Sequence, residues 1–256
     1  MKILAIGDSH CAHFKIAINR RQKSSGFRFL GSEINKHEFH FSSIPGPNFS
    51  EVSTSSSSSV IKVPSKLFRY VGSQKKSEDP FFETGVSEID CKEFDAIIWI
   101  QGRNIFQEYH DFIGHSAAPP LMSSSLLNVF CDWFLARNQR FLDVVNSNPG
   151  KKILHIGAPV LFRESIMSPP EIPDKFHYIH NQNLRYLVSL QFPSRKDLSF
   201  IGAPFECIHP TGQFALDEFA RHLPEDVHHA SDSYWQFVVS HMTDISGESL
   251  PQDLEV

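Results

Sequence analysis

Five short apolar runs recur along the chain, and their spacing is the strongest constraint on its fold. They cover residues 3–7, 38–44, 95–100, 152–157 and 198–202. Runs of this length, bounded by turn residues, are typical of strands that are buried on both faces of a parallel sheet. Apolar residues with helical spacing lie between them, at 12–21, 124–145 and 181–190. The pattern predicts an α/β fold in which helices cover a five-stranded parallel sheet.

One segment between the second and third predicted strands breaks this pattern. Residues 48–80 are mainly polar, and residues 53–59 are almost entirely serine. Because serine-rich tracts usually form flexible connections, we expect an insertion here with a flexible serine-rich piece. The acidic and polar residues 246–256 are expected to form a loose tail. The rest of the chain, 1–245, is predicted to be a single domain that carries the insertion.

Charge and hydropathy limit the partners that the chain can bind. The net charge is −5, and no run of Lys and Arg is dense enough to follow a phosphate backbone, so nucleic acid is not an expected partner. No apolar stretch approaches the roughly 20 residues of a membrane-spanning helix. A first strand that starts near residue 2 leaves no room for a signal peptide. These features predict a cytoplasmic protein without a membrane span.

The cysteines and histidines do not have the spacing of a metal site. The four cysteines show no Cys-x-x-Cys pair and lie far apart, at Cys11, Cys91, Cys131 and Cys207. We therefore expect reduced thiols and neither a zinc site nor a disulfide framework. His177 and His180 have metal-binding spacing, but the sequence offers no third ligand beside them. We predict that the protein needs no metal and no organic cofactor.

Residues that could carry chemistry follow the carboxyl ends of three predicted strands. Ser9 follows the first strand, Gly46 the second and Asn104 the third. In an open parallel sheet, ligands bind at the carboxyl ends of the strands. The sequence therefore predicts that these three residues converge at one edge of the sheet.

Ser9 has two interpretations. A serine at a strand-to-helix turn lies near helix N–H groups that can bind an oxyanion, and it becomes a nucleophile when a base takes its proton. It could instead cap the helix that follows. Asn104 has a comparable alternative, because asparagine after glycine is common in turns.

A second segment, near the other end of the chain, offers the missing base. Asp226 lies three residues before His229, so that one turn brings the carboxylate to the imidazole. Ser9, Asp226 and His229 then form the components of a Ser-His-Asp hydrolase. His228 is the competing histidine, and Asp226 could instead cap a helix that runs through Tyr234.

Three short motifs resemble those of the SGNH (GDSL-like) hydrolases. Gly7-Asp8-Ser9-His10 resembles the first block of this family, Gly102-Arg103-Asn104 the third, and Asp226-Val227-His228-His229 the fifth. Gly46 is the best match to the glycine of the second block. The variant Gly-Asp-Ser-His is most similar to SGNH domains that accompany polysaccharide O-acyltransferases.

The resemblance implies a fold, a reaction and a role for each motif residue. The fold would be a flavodoxin-like three-layer α/β/α arrangement. Ser9 would be the nucleophile, His229 the base and Asp226 its orienting partner. The Ser9 N–H, the Gly46 N–H and the Asn104 amide would form the oxyanion hole.

These expectations lead to one main functional hypothesis and two alternatives. The chain is predicted to be a serine esterase that removes an O-acyl group, such as acetyl, from a carbohydrate or a small ester. An O-acyltransferase would use the same residues with a glycan hydroxyl as acceptor, and a catalytically silent glycan-binding module could share the fold. His10 and Arg103 are candidate substrate-binding residues, although each could equally be a surface residue. Trp235 could stack on a sugar, but core packing is favoured.

Overall fold

The computed structural model describes residues 1–24, 26–44, 46–64, 68–71, 74–78, 88–101, 124–157, 159, 196–208, 215–220 and 230–244. The α-helices within them are α1 (Ser9–Gln22), α2 (Gly46–Phe49), α3 (Ser124–Arg137), α4 (Gln139–Ser147) and α5 (Asp232–Asp244). The strands are β1 (Lys2–Gly7), β2 (Arg28–Phe29), β3 (Ser32–Glu33), β4 (Glu38–Ser43), β5 (Ser53–Ser55), β6 (Ser58–Lys62), β7 (Phe68–Val71), β8 (Gln74–Glu78), β9 (Glu88–Asp90), β10 (Ala96–Gln101), β11 (Lys152–Gly157) and β12 (Leu198–Ile201). Short 3-10 helices occur at Ile34–Lys36, Cys91–Glu93, Phe205–Cys207 and Asp217–Phe219.

The central sheet has five parallel strands in the order β12-β11-β10-β1-β4. Counted along the chain, this is the order 2-1-3-4-5 of flavodoxin-like folds. Each of the five strands has both ends within one residue of its predicted end. The parallel pairing of all five strands confirms the predicted sheet, although β4 is less buried than β1 and β11.

The two faces of the sheet support two separate cores. Ile3 and Ala5 of β1 point to one face, where Phe14 of α1 and Trp235 of α5 are buried. The alternate residues of β1 point to the other face and pack near Phe141 of α4. Burial of each large side chain contributes about 1.5–3 kcal/mol. Helices therefore cover both faces, which confirms the three-layer α/β/α arrangement.

Two predicted helices differ from those in the structure. The helix predicted at 12–21 begins earlier, at Ser9, because Asp8 caps it. The helix predicted at 124–145 is two helices that meet at Asn138. The Asn138 side-chain amide donates to the Phe134 carbonyl at 2.7 Å, and this local bond competes with the helical ladder. The helix predicted at 181–190 lies outside the described residues.

The serine-rich tract is ordered, so the prediction of a flexible piece is wrong for this stretch. Strands β5 and β6 form an antiparallel hairpin, and β6 also pairs with β9. Ser59 and Ile61 are buried alternately along β6, and the Ser59 hydroxyl donates to Asp90 at 2.6 Å. The high serine content obscured the alternation of buried and more exposed side chains that is typical of a strand. The tail predicted at 246–256 lies outside the described residues.

Candidate active site

Ser9 is the first residue of α1 and directly follows the end of β1. Asp8 is the N-cap, and its carboxylate accepts the His10 backbone N–H at 2.9 Å. An aspartate in this position satisfies one of the donors of the first helical turn. Because Asp8 performs the capping, the alternative interpretation of Ser9 as the helix cap is wrong.

Gly7 allows the strand before Ser9 to approach its neighbour closely. A Cβ atom at Gly7 would lie 2.7 Å from the Cβ of Ile100 in β10 and would also clash with the Ile100 carbonyl oxygen. The sequence pattern identified Gly7 only as part of the first motif and did not predict this packing role. A glycine at the end of an otherwise bulky strand is the signal that could have revealed it.

His10 is buried and is held by groups of the protein itself. Its Nδ1 lies 2.8 Å from the Asp8 carboxylate, which can only accept, so Nδ1 donates the proton. Its ring is tilted against Trp235 with the ring centroids 6.0 Å apart. These contacts fix the residues on both sides of Ser9. Substrate binding by His10 remains a prediction.

Cys11 does not compete with Ser9 as a nucleophile. Its side chain is fully buried, and Sγ lies 3.6 Å from the Ala5 carbonyl oxygen. Burial raises the pKa of the Cys11 thiol far above its ordinary value, and the nearby Asp8 carboxylate raises it further. A thiol in this state stays protonated and unreactive.

The end of β4 is joined directly to the Ser9 turn. The Ser43 hydroxyl donates to the Asp8 carbonyl at 3.2 Å, and the Ile44 N–H donates to the Gly7 carbonyl at 2.9 Å. Two residues further on, Gly46 opens the short helix α2. The structure therefore brings the predicted first and second motif segments to the same edge of the sheet. Sequence reasoning did not identify Ser43.

The first turn of α5 is attached to α1. The Asp232 carboxylate lies 2.8 Å from the Arg20 guanidinium and 3.7 Å from His13 Nδ1. Just before it, the Ser231 N–H donates to the Phe219 carbonyl at 2.7 Å. The helix through Tyr234 thus begins at Asp232, and the alternative in which Asp226 caps that helix is wrong.

Four predicted site residues lie outside the described residues, namely Arg103, Asn104, Asp226 and His229. The described chain reaches Gln101, the last residue of β10, which pairs in register with Gly157. Trp235 is fully buried beside Phe14, with ring centroids 6.1 Å apart. Core packing of Trp235 is therefore confirmed, and stacking of this ring on a sugar is wrong.

In the part of the chain that the structure describes, His, Cys, Asp and Glu side chains do not gather in threes as a metal ion would require. No helix in this part of the chain has the length and apolar character that would span a bilayer.

No protein-family model and no curated protein sequence matches the chain. Several solved structures resemble it. A carbohydrate acetylesterase family member from Sinorhizobium meliloti is 11% identical, covers 95% of this chain and 96% of its own, and has a TM-score of 0.37. The lipopolysaccharide acetyltransferase periplasmic domain from Salmonella Paratyphi A is 11% identical, with 93% and 80% covered and a TM-score of 0.42. A proposed acylhydrolase from Bacteroides fragilis is 10% identical, with 96% and 85% covered and a TM-score of 0.41.

Proposed function

We propose that the protein is an SGNH-type serine hydrolase that removes an acyl group from oxygen, with Ser9 as nucleophile, His229 as base and Asp226 as its orienting partner. One observation carries the proposal: α1, which begins at Ser9, packs against α5, which begins three positions after His229. Asp232 contacts Arg20 and His13 across this pair of helices, and Trp235 is buried against Phe14 between them. Two parts of the chain that are far apart in sequence are thereby held side by side.

The length of the chain supports the proposed pairing of Ser9 with His229. His229 precedes Asp232 by three positions, and a fully extended chain spans about 3.5 Å per position. Ser9 precedes His13 by four positions, which is about 6 Å along a helix. With the Asp232 carboxylate 3.7 Å from His13 Nδ1, this chain length is compatible with the proposed pairing of Ser9 with His229.

In the proposed acylation step, Ser9 Oγ attacks the ester carbonyl while His229 Nε2 takes the hydroxyl proton. The bond from Oγ to carbon forms, and the carbonyl oxygen becomes an oxyanion. Asp226 accepts the other ring N–H of His229 and stabilises the imidazolium. The C–O bond to the alcohol then breaks, and the alcohol leaves with the proton from His229.

Three donors are proposed to hold the oxyanion: the Ser9 N–H, the Gly46 N–H and the Asn104 amide. The first N–H groups of a helix have no acceptor within the helix and point toward its positive end. Ser9 opens a helix of 14 residues, which supports its assignment, and Gly46 is assigned because it follows β4 at the same edge of the sheet. Removal of one such donor typically lowers kcat by about 10²–10³-fold.

Deacylation repeats these roles with water as the attacking group. His229 takes a proton from water, the hydroxide oxygen attacks the acyl carbon, and Ser9 leaves with the proton. The proposed substrate is an O-acyl ester, with acetyl on a carbohydrate as the first choice. A glycan hydroxyl in place of water would make the same residues an acyltransferase.

A fluorophosphonate probe tests the proposed nucleophile. The wild-type protein is expected to gain one covalent phosphonyl group at Ser9, detected by intact mass and located by peptide mapping. Ser9→Ala should abolish both the labelling and the turnover of 4-nitrophenyl acetate. Ser24→Ala is the matched control, because the Ser24 hydroxyl donates to the Arg20 carbonyl beyond the other end of α1 and its loss should leave the labelling intact.

The outcomes separate the three functional hypotheses. An unlabelled wild-type protein that is folded would contradict both enzymatic functions and leave the silent binding module. Labelling with turnover that rises when a sugar acceptor is added, together with an acylated sugar product, would favour the acyltransferase. Labelling that survives in Ser9→Ala would refute Ser9 as the nucleophile.

A further inference from the structure

Arg140 lies in the first turn of α4 and contacts the helix that Gly46 opens. Because α4 leads back to the start of β11, its first turn lies at the carboxyl edge of the sheet. A guanidinium N–H of Arg140 donates to the carbonyl oxygen of Phe49, the last residue of α2. The guanidinium also lies over the Phe49 ring, 5.5 Å from its centroid.

The surroundings of Arg140 are costly for a cation. Desolvation by partial burial lowers the pKa of Arg140. Among the described residues, no carboxylate lies within 4.0 Å of it. Asp143, one turn further along α4, instead accepts from Gln139 and Thr54 at 2.9 Å each. A half-buried cation without a counter-ion is destabilising on its own, so its bond to α2 is the main contact that offsets the cost.

Helix α2 depends on contacts with the rest of the protein for its stability. It has four residues, and helices this short are not stable in isolation. The Phe49 ring is buried against Trp99 with centroids 5.5 Å apart, and Arg140 holds the carbonyl at the same end. A cation at the C-terminal end of a helix is also favourable for its dipole. These contacts hold the C-terminal end of α2 in place.

The other end of α2 is joined to the Ser9 turn. Ile44, two residues before Gly46, donates its N–H to the Gly7 carbonyl, two residues before Ser9. Because Ile44 is bonded to Gly7, we expect a movement at Phe49 to change the direction of the Gly46 N–H relative to Ser9.

We propose that Arg140 is a positioning residue that holds α2 so that the Gly46 N–H points to the oxyanion formed at Ser9. This inference rests on the proposed function and extends it to a residue in another part of the sequence. Arg140 does not touch the substrate in this arrangement. It acts through Phe49 on the placement of one oxyanion donor.

Arg140→Gln and Arg140→Lys test this role. Misplacement of a reacting group by about 1 Å costs about 10²-fold in rate, so Arg140→Gln should lower kcat for 4-nitrophenyl acetate by about 10–100-fold. KM should change by less than about threefold, because the donor acts mainly on the transition state. Arg140→Lys keeps a charged donor and should recover part of the lost kcat.

Lys151 provides a matched control at the opposite edge of the sheet. Its ammonium group is also half-buried and donates to two carbonyls around a short 3-10 helix, those of Cys91, at 2.8 Å, and of Phe94. We expect both Lys151→Gln and Arg140→Gln to lower the melting temperature. Lys151→Gln should leave kcat unchanged.

The results distinguish this inference from the proposed function itself. If the wild-type protein neither turns over esters nor reacts with the fluorophosphonate, the proposed function fails. If the wild type is active and folded Arg140→Gln keeps its kcat, only the role of Arg140 is refuted. An equal loss of kcat in Lys151→Gln, or failure of both Arg140 variants to fold, would make Arg140 a purely structural residue and would also overturn the inference.

Discussion

Replacement of Gly7 by alanine is the sharpest test of how the sheet positions Ser9. Gly7 pairs with Ile100 on one side and with Ser43 on the other, so it lies inside the sheet. An alanine Cβ there would lie 2.7 Å from Ile100 Cβ and would overlap the Ile100 carbonyl oxygen. Because one obstacle is backbone, no change of rotamer can relieve the clash.

The size of the effect follows from this geometry. Carbon atoms in contact are normally about 3.5–4.0 Å apart, so β1 and β10 must separate locally by about 1 Å. Overpacking of a close-packed interior costs about 1–3 kcal/mol and occasionally more. Since the clash involves two interior strands of the sheet, we expect a loss of about 3 kcal/mol in the free energy of unfolding. Ser9 would move with the end of β1, and kcat should fall by about 10²-fold.

Urea denaturation and ester turnover measure the two effects on the same preparations. Gly150→Ala is the control, because Gly150 has a φ of 76° in a turn and its added Cβ would meet nothing within 4 Å. That variant should lose about 1–2 kcal/mol from its left-handed backbone and keep its kcat. Gly7→Ala with a free energy of unfolding within about 1 kcal/mol of wild type would refute the close-approach argument.

Three further predictions concern the motif residues and the serine-rich hairpin. Asn104→Ala should lower kcat by about 10²–10³-fold with little change in KM, as steady-state kinetics would show; a change in KM alone would make it a substrate contact or turn residue. His229→Ala should cost about 10³-fold or more in kcat and His228→Ala less than about tenfold; the reverse result would mean that the fifth motif is misaligned by one residue. The Ser59 hydroxyl holds the pKa of Asp90 below its ordinary value, so this carboxylate stabilises the fold at neutral pH and loses that effect as the pH falls through its folded-state pKa. The difference in free energy of unfolding between wild type and Asp90→Asn should therefore shrink from about pH 7 to about pH 3, and a constant difference would contradict this.

The sequence predicts the sheet well because its signal is local. The β10 residues Ile97, Ile98 and Trp99 are all buried, as expected for a strand covered on both faces. Their apolar run can be recognised without knowledge of the neighbouring strands. The strand order does not follow from these local runs, and its flavodoxin-like form was expected only from the resemblance to SGNH hydrolases.

The serine-rich hairpin and the divided helix were not predictable in the same way. The serine content of Ser58–Lys62 favours the prediction of a flexible segment. The pairing of this strand with Glu88–Asp90 shows that Ser59 is the buried serine. Asn138 is compatible with either a helix or its interruption until its side chain finds the Phe134 carbonyl. Both outcomes depend on contacts that a one-dimensional pattern does not contain.

The candidate site also combines features that the sequence predicts with features that depend on tertiary contacts. The motifs identify Ser9, but the reasons for its neighbours come from packing, since Gly7 is required by the proximity of Ile100. Arg140 has no motif at all. Its hydrogen bond to Phe49 in α2 joins two residues that are 91 positions apart in sequence. Such positioning residues become visible only when the fold brings them to the edge where the motifs meet.

The attachment of α5 to α1 decides whether distant motifs can work as one site, and its energy comes mainly from apolar contact. Trp235 is fully buried against Phe14, whereas the Arg20–Asp232 pair is substantially exposed. Exposed ion pairs contribute about 0–1 kcal/mol, but burial of an aromatic ring contributes several times more. The Trp235 ring therefore supplies most of the stabilisation that holds the two helices together, and the ion pair adds little to it. Because the same ring also contacts His10 beside Ser9, the packing that stabilises the domain also fixes the position of the proposed nucleophile.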